Sequence, residues 1–342
     1  MRPLYDHLLS IGKCENIDLF LYSRGGDVSV PWRIVTMFRE LCDKFSILVP
    51  YKAHSAATLI SLGADEIIMG KKAELSPIDP TLRRMTVGES GTPQEISVED
   101  VNSYISFLRE RANINDQDAL ANLVSILARN LTPLIVGSVN RQNSHIRLVA
   151  RKLLTSGRNK LDEAQINSII ETLTEKMYSH GHAIGRNEAK AIGLPVIAPD
   201  DELEALMWDL FLAYEDYLKL VHPLDPLVEL IGVEEKTLQE VPIAIMESGK
   251  RCDVFTTTID LKRKRQVPPN PTLNFNLALN LPPNIKPEQI PDQAQQLLQQ
   301  MIDQLSKQMP LLVQKELARQ SPDVGVDVRF YGGKWKEERG IQ

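Results

Sequence analysis

Two short motifs carry residue types that suit chemistry, and the first is Gly25-Gly26. The pair follows an apolar segment, Ile17 to Tyr22, which is typical of a buried strand. Two adjacent glycines let the backbone turn sharply and leave its N–H groups uncovered by side chains. Such N–H groups can stabilise negative charge that develops on a reacting oxygen. The alternative is an ordinary tight turn, because glycine is the common turn residue.

The second motif is His54-Ser55-Ala56, which stands between a predicted strand over 45–49 and a predicted helix over 55–62. A serine there presents its hydroxyl at a helix start, where free N–H groups and the helix dipole favour an anion. The sequence therefore indicates a nucleophile beside an oxyanion site. The alternative is a serine that caps the helix, which is the common role of serine at this position.

The elements that position these motifs alternate along the chain. Residues 17–22, 45–49 and 66–69 are predicted strands, and residues 29–42 and 55–62 are predicted helices. Strand–helix–strand order with short links is the signature of a parallel sheet. The fold class is therefore α/β.

The whole order of motifs resembles the Clp protease/crotonase-like fold. It resembles more closely the serine dehydrogenase proteinase family, whose members are relatives of signal peptide peptidase A. The similarity covers about residues 4 to 198. The motifs that carry it are Ser23-Arg24-Gly25-Gly26-Asp27, Trp32-Arg33-Ile34-Val35, Lys52-Ala53-His54-Ser55-Ala56, Leu62-Gly63-Ala64-Asp65-Glu66-Ile67, Glu74-Leu75-Ser76-Pro77-Ile78-Asp79-Pro80 and Glu188-Ala189-Lys190-Ala191-Ile192-Gly193-Leu194.

The resemblance implies a serine peptidase with a β-β-α core. It makes Ser55 the nucleophile, with the N–H groups of Gly26 and Ala56 as donors of the oxyanion hole. Peptide bonds would be hydrolysed through an acyl-Ser55 intermediate. Gly25-Gly26 would also offer an edge with which an extended polypeptide substrate pairs.

The general base departs from the pattern of the family. Clp proteases carry a histidine downstream of the serine, where this chain has Asp79. The resemblance points instead to His180, in the segment before Glu188-Ala189. We therefore predict a rearranged set of Ser55, His180 and Asp79, in which the carboxylate orients the imidazole. His182 and His54 are alternative bases, and signal peptide peptidases use a lysine.

We expect two domains, a Clp/crotonase-like peptidase domain over 1–222 and an α+β domain over 235–342 for which no resemblance was found. Homo-oligomers are expected, because crotonase-like cores pack through helices that follow the sheet. Aromatic residues dominate interface cores, so the predicted anchors are Trp208, Phe211 and Tyr214.

The charge and cysteine content of the 342 residues limit the partners, cofactors and cellular compartment that we expect for the protein. The net charge of −6 does not favour nucleic acid, and the run Lys262-Arg263-Lys264-Arg265 is interpreted as a solvated hairpin tip. Three cysteines without CxxC spacing fit a reducing compartment and signal no metal site, so we expect a cytoplasmic protein without cofactor or metal. Family members commonly begin with a hydrophobic anchor; no such anchor stands in this sequence, and the resemblance leaves membrane association open.

Three functions follow from these observations. The first is a serine peptidase. The second is a catalytically silent, oligomeric module that binds extended peptides. The third is an enzyme of acyl-CoA chemistry related to the crotonases, which is disfavoured because those enzymes need no serine at position 55. The reactivity of Ser55 separates the first two.

Overall fold

The computed structural model describes residues 2–78, 81–84, 94–97, 104, 106–114, 116–130, 133–177, 181–266, 291 and 321–338, with isolated positions between 296 and 317. The chain divides into two compact units. The first comprises Met1–Leu220, Met246–Asp253 and Glu337–Gln342, and the second comprises Val221–Ile245 and Val254–Lys336. The division into domains over 1–222 and 235–342 stays a prediction.

The first unit alternates strands and helices. Its strands are β1 (Cys14–Phe20), β2 (Cys42–Val49), β3 (Lys52–Ala53), β4 (Glu66–Met69), β5 (Glu74–Leu75), β6 (Thr81–Arg84), β7 (Gln94–Ser97), β8 (Ile184–Gly185) and β9 (Val196–Ile197). Its helices are α1 (Arg2–Ile11), α2 (Val30–Arg39), α3 (Ala56–Leu62), α4 (Gln117–Asn130), α5 (Pro133–Ser156), α6 (Glu163–Glu171), α7 (Arg186–Ile192) and α8 (Asp201–Tyr217), with π-helical turns over Phe107–Arg111 and Thr172–Lys176.

The main sheet has four strands in the order β1-β2-β4-β9, and all neighbours are parallel. This confirms the predicted α/β class with a parallel sheet. Phe45, Ile47 and Val49 on one face of β2 are fully buried, and Ser46 on the other face is buried as well. The predicted first strand is displaced, because it runs from Cys14 to Phe20 rather than from 17 to 22.

Helices α2 and α3 pack closely beside this sheet. Pro31 stands in the first turn of α2, where its missing N–H costs nothing, and Val35 and Phe38 of that helix are buried. A Cβ atom on Gly63 would lie only 2.7 Å from Cγ1 of Val35. The glycine that ends α3 therefore permits the close approach of the two helices.

A second small sheet positions the motif around Ser55. Its order is β3-β5-β8, with Ala53 beside Leu75 in parallel and Leu75 beside Ile184 in antiparallel pairing. Ser23 joins the other edge of this sheet through a parallel bridge to Ala53. The chain that leaves β1 thus runs beside the chain that leads to Ser55.

The second unit contains α9 (Pro226–Glu229) and most of a sheet of β10 (Glu235–Ser248), β11 (Arg251–Arg265) and β12 (Asp323–Glu338), in that order. All three strands are longer than the sequence pattern predicts. Most residues of β12 are exposed. Apolar and polar residues therefore alternate along only part of this strand. The predicted strand over 273–281 lies outside the described residues, as does most of the helix predicted over 293–320.

The basic run of the second unit is not a hairpin tip, and that prediction is wrong. The turn between β10 and β11 is at Gly249-Lys250, whereas the basic run forms the last residues of β11. Arg263 Nη1 lies 2.6 Å from Asp323 Oδ2, and Arg265 Nη2 lies 2.6 Å from Glu234 Oε1. The arginines of the run are thus engaged by carboxylates of their own unit.

Asp65 is the acceptor at the centre of a buried polar cluster in the first unit. Its carboxylate accepts hydrogen bonds from Arg39 Nη1 at 2.6 Å and Nη2 at 2.9 Å. It also accepts the backbone N–H groups of Phe45 at 2.9 Å and Arg158 at 2.6 Å. The aspartate of the motif Gly63-Ala64-Asp65 is therefore structural, because it links β2, α2 and the chain after α5.

Replacing Asp65 by asparagine is expected to lower the free energy of unfolding by about 3 kcal/mol, since breaking a buried ion pair leaves its partner uncompensated. The matched control is Glu66→Gln. Glu66 lies 2.6 Å from Lys44 in a pair that is one-third exposed, and such a pair contributes about 0–1 kcal/mol. Urea titrations of both variants measure the two losses; equal losses would contradict the role given to Asp65.

The same cluster predicts a dependence on pH. Burial alone raises the pKa of Asp65, but the bonds from Arg39, Arg158 and Phe45 outweigh it, and the net pKa lies below its usual range. A depressed pKa stabilises the fold above the unfolded-state value of about 3.9, and the stabilisation is lost as pH falls through the folded-state value. The difference in stability between wild type and Asp65→Asn should therefore shrink below about pH 4.

Candidate active site

Ser55 occupies a sharp turn between β3 and α3. Its backbone has φ 51° and ψ −112°, which is rare for a residue with a side chain and costs about 1–3 kcal/mol unless its surroundings hold it. Its side chain makes no capping hydrogen bond to α3. The alternative that Ser55 is an ordinary helix cap is therefore wrong, and its half-buried hydroxyl is not engaged by the helix.

Gly25 packs directly against this turn. Its φ is +108°, which favours glycine, and a Cβ atom there would lie 2.8 Å from Cβ of Ser55 and 3.1 Å from the carbonyl oxygen of His54. The N–H of Gly25 donates to Oγ of Ser23 at 3.1 Å. The two motifs that the sequence singled out are thus in contact, and the first glycine is required where Ser55 approaches.

Each predicted oxyanion donor is the residue that directly follows one of the two contacting residues. Gly26 comes directly after Gly25, and Ala56 comes directly after Ser55. Over the described residues, neither the Gly26 N–H nor the Ala56 N–H donates a hydrogen bond. A Cβ atom on Gly26 would meet no atom within 4 Å in the described structure, so the space beside it is open. These observations are compatible with the predicted donors and leave their role a proposal.

Ser76 holds the strained turn in place, and the sequence reasoning missed it. The N–H of Ser55 donates to Oγ of Ser76 at 2.8 Å. The N–H of Ser76 donates to Oγ1 of Thr58 at 3.1 Å, and that hydroxyl donates to the carbonyl oxygen of Ala53 at 2.7 Å. Ser76 and Thr58 are buried. Two small polar residues beside a buried motif were the only sequence signal for this anchor.

His54 is engaged on one side of the small sheet. Its Nε2 atom lies 3.2 Å from Oε1 of Glu74, and Nζ of Lys52 lies 3.2 Å from the same oxygen. Burial alone lowers the pKa of Lys52, but the Glu74 carboxylate outweighs it and raises the pKa above its usual value. Lys52 is therefore held protonated and is a poor proton acceptor.

His180 and Asp79, the predicted base and its orienting acid, lie outside the described residues. The alternative base His182 lies within them. Its Nε2 atom lies 2.9 Å from Oε1 of Glu188 in the first turn of α7, and both side chains are about 40% exposed. The structure thus pairs one histidine of the predicted segment with a carboxylate that the sequence reasoning had treated only as part of a motif.

An open groove of about 610 Å³ lies along the small sheet. Glu74 of β5 and Gly185 of β8 line it, together with Tyr51, Lys72 and Trp208. The Lys72 ammonium lies 4.5 Å from the centre of the Trp208 ring, which is a cation–π contact. The groove therefore offers aromatic surface along the small sheet, whose strand β3 leads to Ser55.

The predicted interface anchor Phe211 is wrong. Its ring is 1% exposed and packs against Tyr22 at 5.0 Å, Trp208 at 5.3 Å and Tyr51 at 5.6 Å between ring centres. Phe211 therefore belongs to an aromatic cluster within the first unit. In this cluster α8 packs against Tyr22 and Tyr51, which come shortly after β1 and β2. The exposed apolar residues of α8 include Leu206 and Leu210 instead, and the expected homo-oligomer stays a prediction.

Among the described residues, no group of three histidine, cysteine or acidic side chains is placed to hold a metal ion. A search of the same residues finds no helix with the length and apolar character needed to cross a membrane.

Ser55 thus lies on a turn of an α/β unit whose main sheet is parallel. A family model for the ClpP-like SDH-type serine proteinase matches residues 8–92. This match confirms the resemblance to that family over a segment that contains Gly25, Gly26, Ser55 and Asp79.

Two curated relatives come from Methanocaldococcus jannaschii. The chain is 27% identical to the uncharacterized protein MJ0137 over 184 residues, which are 54% of this chain and 54% of that protein. It is 38% identical to the uncharacterized protein MJ1495 over 66 residues, which are 19% of this chain and 23% of that protein. The similarity thus spans about half the length of the first relative and about a quarter of the second.

Proposed function

We propose that the protein is a serine peptidase that hydrolyses peptide bonds of extended polypeptides through an acyl-Ser55 intermediate. The observation that carries the proposal is the conformation of Ser55: a strained turn, locked by Ser76 and Gly25, whose hydroxyl the adjoining helix does not use. Strain of this kind persists only where surrounding structure holds it, and it concentrates at functional sites.

The proposed chemistry has two steps. Oγ of Ser55 attacks the carbonyl carbon of the substrate while its proton passes to an imidazole of the segment that holds His180 and His182. The N–H groups of Gly26 and Ala56 stabilise the oxyanion, and the amine product leaves with the proton. Water then attacks the acyl-Ser55 ester and gives a proton to the imidazole. The imidazole passes this proton to Oγ of Ser55 as the bond between Oγ and the acyl group breaks, which releases the acid product.

The groove along β5 and β8 is the proposed surface for the substrate. It accommodates the side chains of a polypeptide in an extended conformation, since a strand-like ligand places alternate side chains on one face. Gly25-Gly26 follows Ser23, which bridges to Ala53 of β3, and we propose that its backbone groups pair with the substrate.

Labelling with a fluorophosphonate tests the proposal. Wild-type protein should form a covalent adduct whose mass and peptide map place it on Ser55, and Ser55→Ala should give none, because only an activated serine attacks the probe. A folded wild-type protein that remains unlabelled at Ser55 and hydrolyses no casein peptide would instead support the silent peptide-binding module.

A further inference from the structure

The pair of His182 and Glu188 stands out among the titratable groups near the small sheet. Nε2 of His182 and Oε1 of Glu188 are 2.9 Å apart, and both side chains remain accessible to solvent. We propose that His182 is the general base for Ser55 and that Glu188 is the residue that positions it. This proposal rests on the peptidase function proposed above and assigns its base and acid to residues other than His180 and Asp79.

Strand pairing brings His182 toward Ser55. Ala53, Leu75 and Ile184 stand side by side across β3, β5 and β8. Because β3 and β5 are parallel and β8 is antiparallel to them, two residues onward from Ala53 and two residues back from Ile184 lie at the same end of the sheet. Those residues are Ser55 and His182. Two strand spacings of about 4.8 Å put Ala53 and Ile184 about 10 Å apart, and Ser55 follows the first of these residues while His182 precedes the second.

The contact with Glu188 selects the chemistry of the imidazole. A carboxylate accepts a hydrogen bond from a ring nitrogen that carries hydrogen. Glu188 therefore favours the neutral imidazole with hydrogen on Nε2 and a lone pair on Nδ1. That lone pair accepts the Ser55 proton during attack, and the carboxylate stabilises the imidazolium that forms. The proton then passes to the nitrogen of the leaving amine, so the step balances without any other reactant.

His54 is the poorer candidate among the described histidines. Its carboxylate partner, Glu74, also pairs with Lys52, so the negative charge that would stabilise a protonated imidazole is shared with a cation. Glu188 is in contact with His182 and heads a separate helix. The two histidine–carboxylate pairs thus differ in the charge available to support proton transfer.

The test compares kinetics of peptide hydrolysis in purified full-length variants. We expect His182→Ala and His182→Gln to lower kcat about 10³-fold with little change in KM, since general base catalysis contributes about 10²–10⁴-fold. Glu188→Gln should lower kcat about 10-fold to 100-fold, and Glu188→Asp should recover part of the loss. His222→Ala, which removes an exposed histidine of the second unit, is the matched control and should keep the wild-type rate.

Chemical rescue separates a base from a structural residue. Free imidazole in the buffer should restore part of the activity of His182→Ala and none of that of Ser55→Ala, because it replaces only the proton acceptor. Thermal melts matching wild type show that the variants fold.

Each contrary outcome has a distinct meaning. Wild-type kcat in His182→Ala, together with an inactive Ser55→Ala, would overturn this assignment and leave the peptidase proposal standing. A loss confined to His180→Ala would do the same in favour of His180. Full activity in Ser55→Ala would overturn the proposed function itself.

Discussion

Ser55→Ala is expected to lower kcat for peptide hydrolysis by about 10⁴-fold or more, with KM little changed, because removing the nucleophile removes the acyl-enzyme route. Alanine has a Cβ atom like serine, so the backbone strain at φ 51° is unchanged and the variant should fold as wild type does. The loss should therefore appear in the rate and not in thermal stability. Progress curves with a fluorogenic peptide, followed by a melt of the same sample, measure both.

The matched control for this prediction is Ser61→Ala. Ser61 lies in α3, the helix that directly follows Ser55, and its hydroxyl donates to the carbonyl oxygen of Ala57 at 3.0 Å. This hydrogen bond lies within α3, so its removal should leave kcat within a few-fold of wild type. Hydrolysis by Ser55→Ala that co-elutes with the protein at the wild-type rate would be incompatible with an acyl-Ser55 intermediate.

The positions of the two motifs were predictable because they follow from chain order alone. The glycine turn and the serine turn are each predicted between a buried strand and a helix. Gly25 contacts Ser55, although Ser55 follows β3 of the small sheet and not a strand of the main sheet. The strand over 66–69 and the short helix that begins at Arg186 also match their sequence patterns closely, because each is bounded by charged residues or glycine.

Other features of the site left no readable pattern in the sequence. Strands β3, β5 and β8 have two residues each, too few for any periodicity to show. Their pairing nevertheless supports the proposal that His182 is the base for Ser55. The positive φ of Ser55 is equally hidden, because serine is not a residue that signals a left-handed backbone. Ser76 is visible only once the hydrogen bond from Ser55 is known.

The error at Phe211 has a general physical cause. An aromatic residue on an amphipathic helix suits a subunit interface and an internal core equally well, since both are apolar and densely packed. The sequence cannot show that Tyr22 and Tyr51, which follow two neighbouring strands, converge under the same face of α8. The prediction failed because it treated α8 as a free surface.

Gly25→Ala is expected to lower the rate of fluorophosphonate labelling at Ser55 by about 10²-fold, because displacing a reacting group by about 1 Å has an effect of that size. The new methyl group would lie 2.8 Å from Cβ of Ser55 and 3.1 Å from the backbone of His54, so the turn must move. The φ of +108° adds strain that any L-residue bears there. Labelling rates at several probe concentrations measure the effect.

Gly12→Ala is the control that separates these two causes. Gly12 also has a positive φ, +77°, but a Cβ atom there meets nothing within 4 Å in the described structure. Both variants should lose about 1–2 kcal/mol of stability from backbone strain, and Gly25→Ala should lose more because of its clash with the turn. Only Gly25→Ala should lose labelling, since only that methyl group displaces the nucleophile. Equal labelling in the two variants would mean that the Gly25 contact does not position Ser55, and Ser76 would then be the principal anchor of the turn.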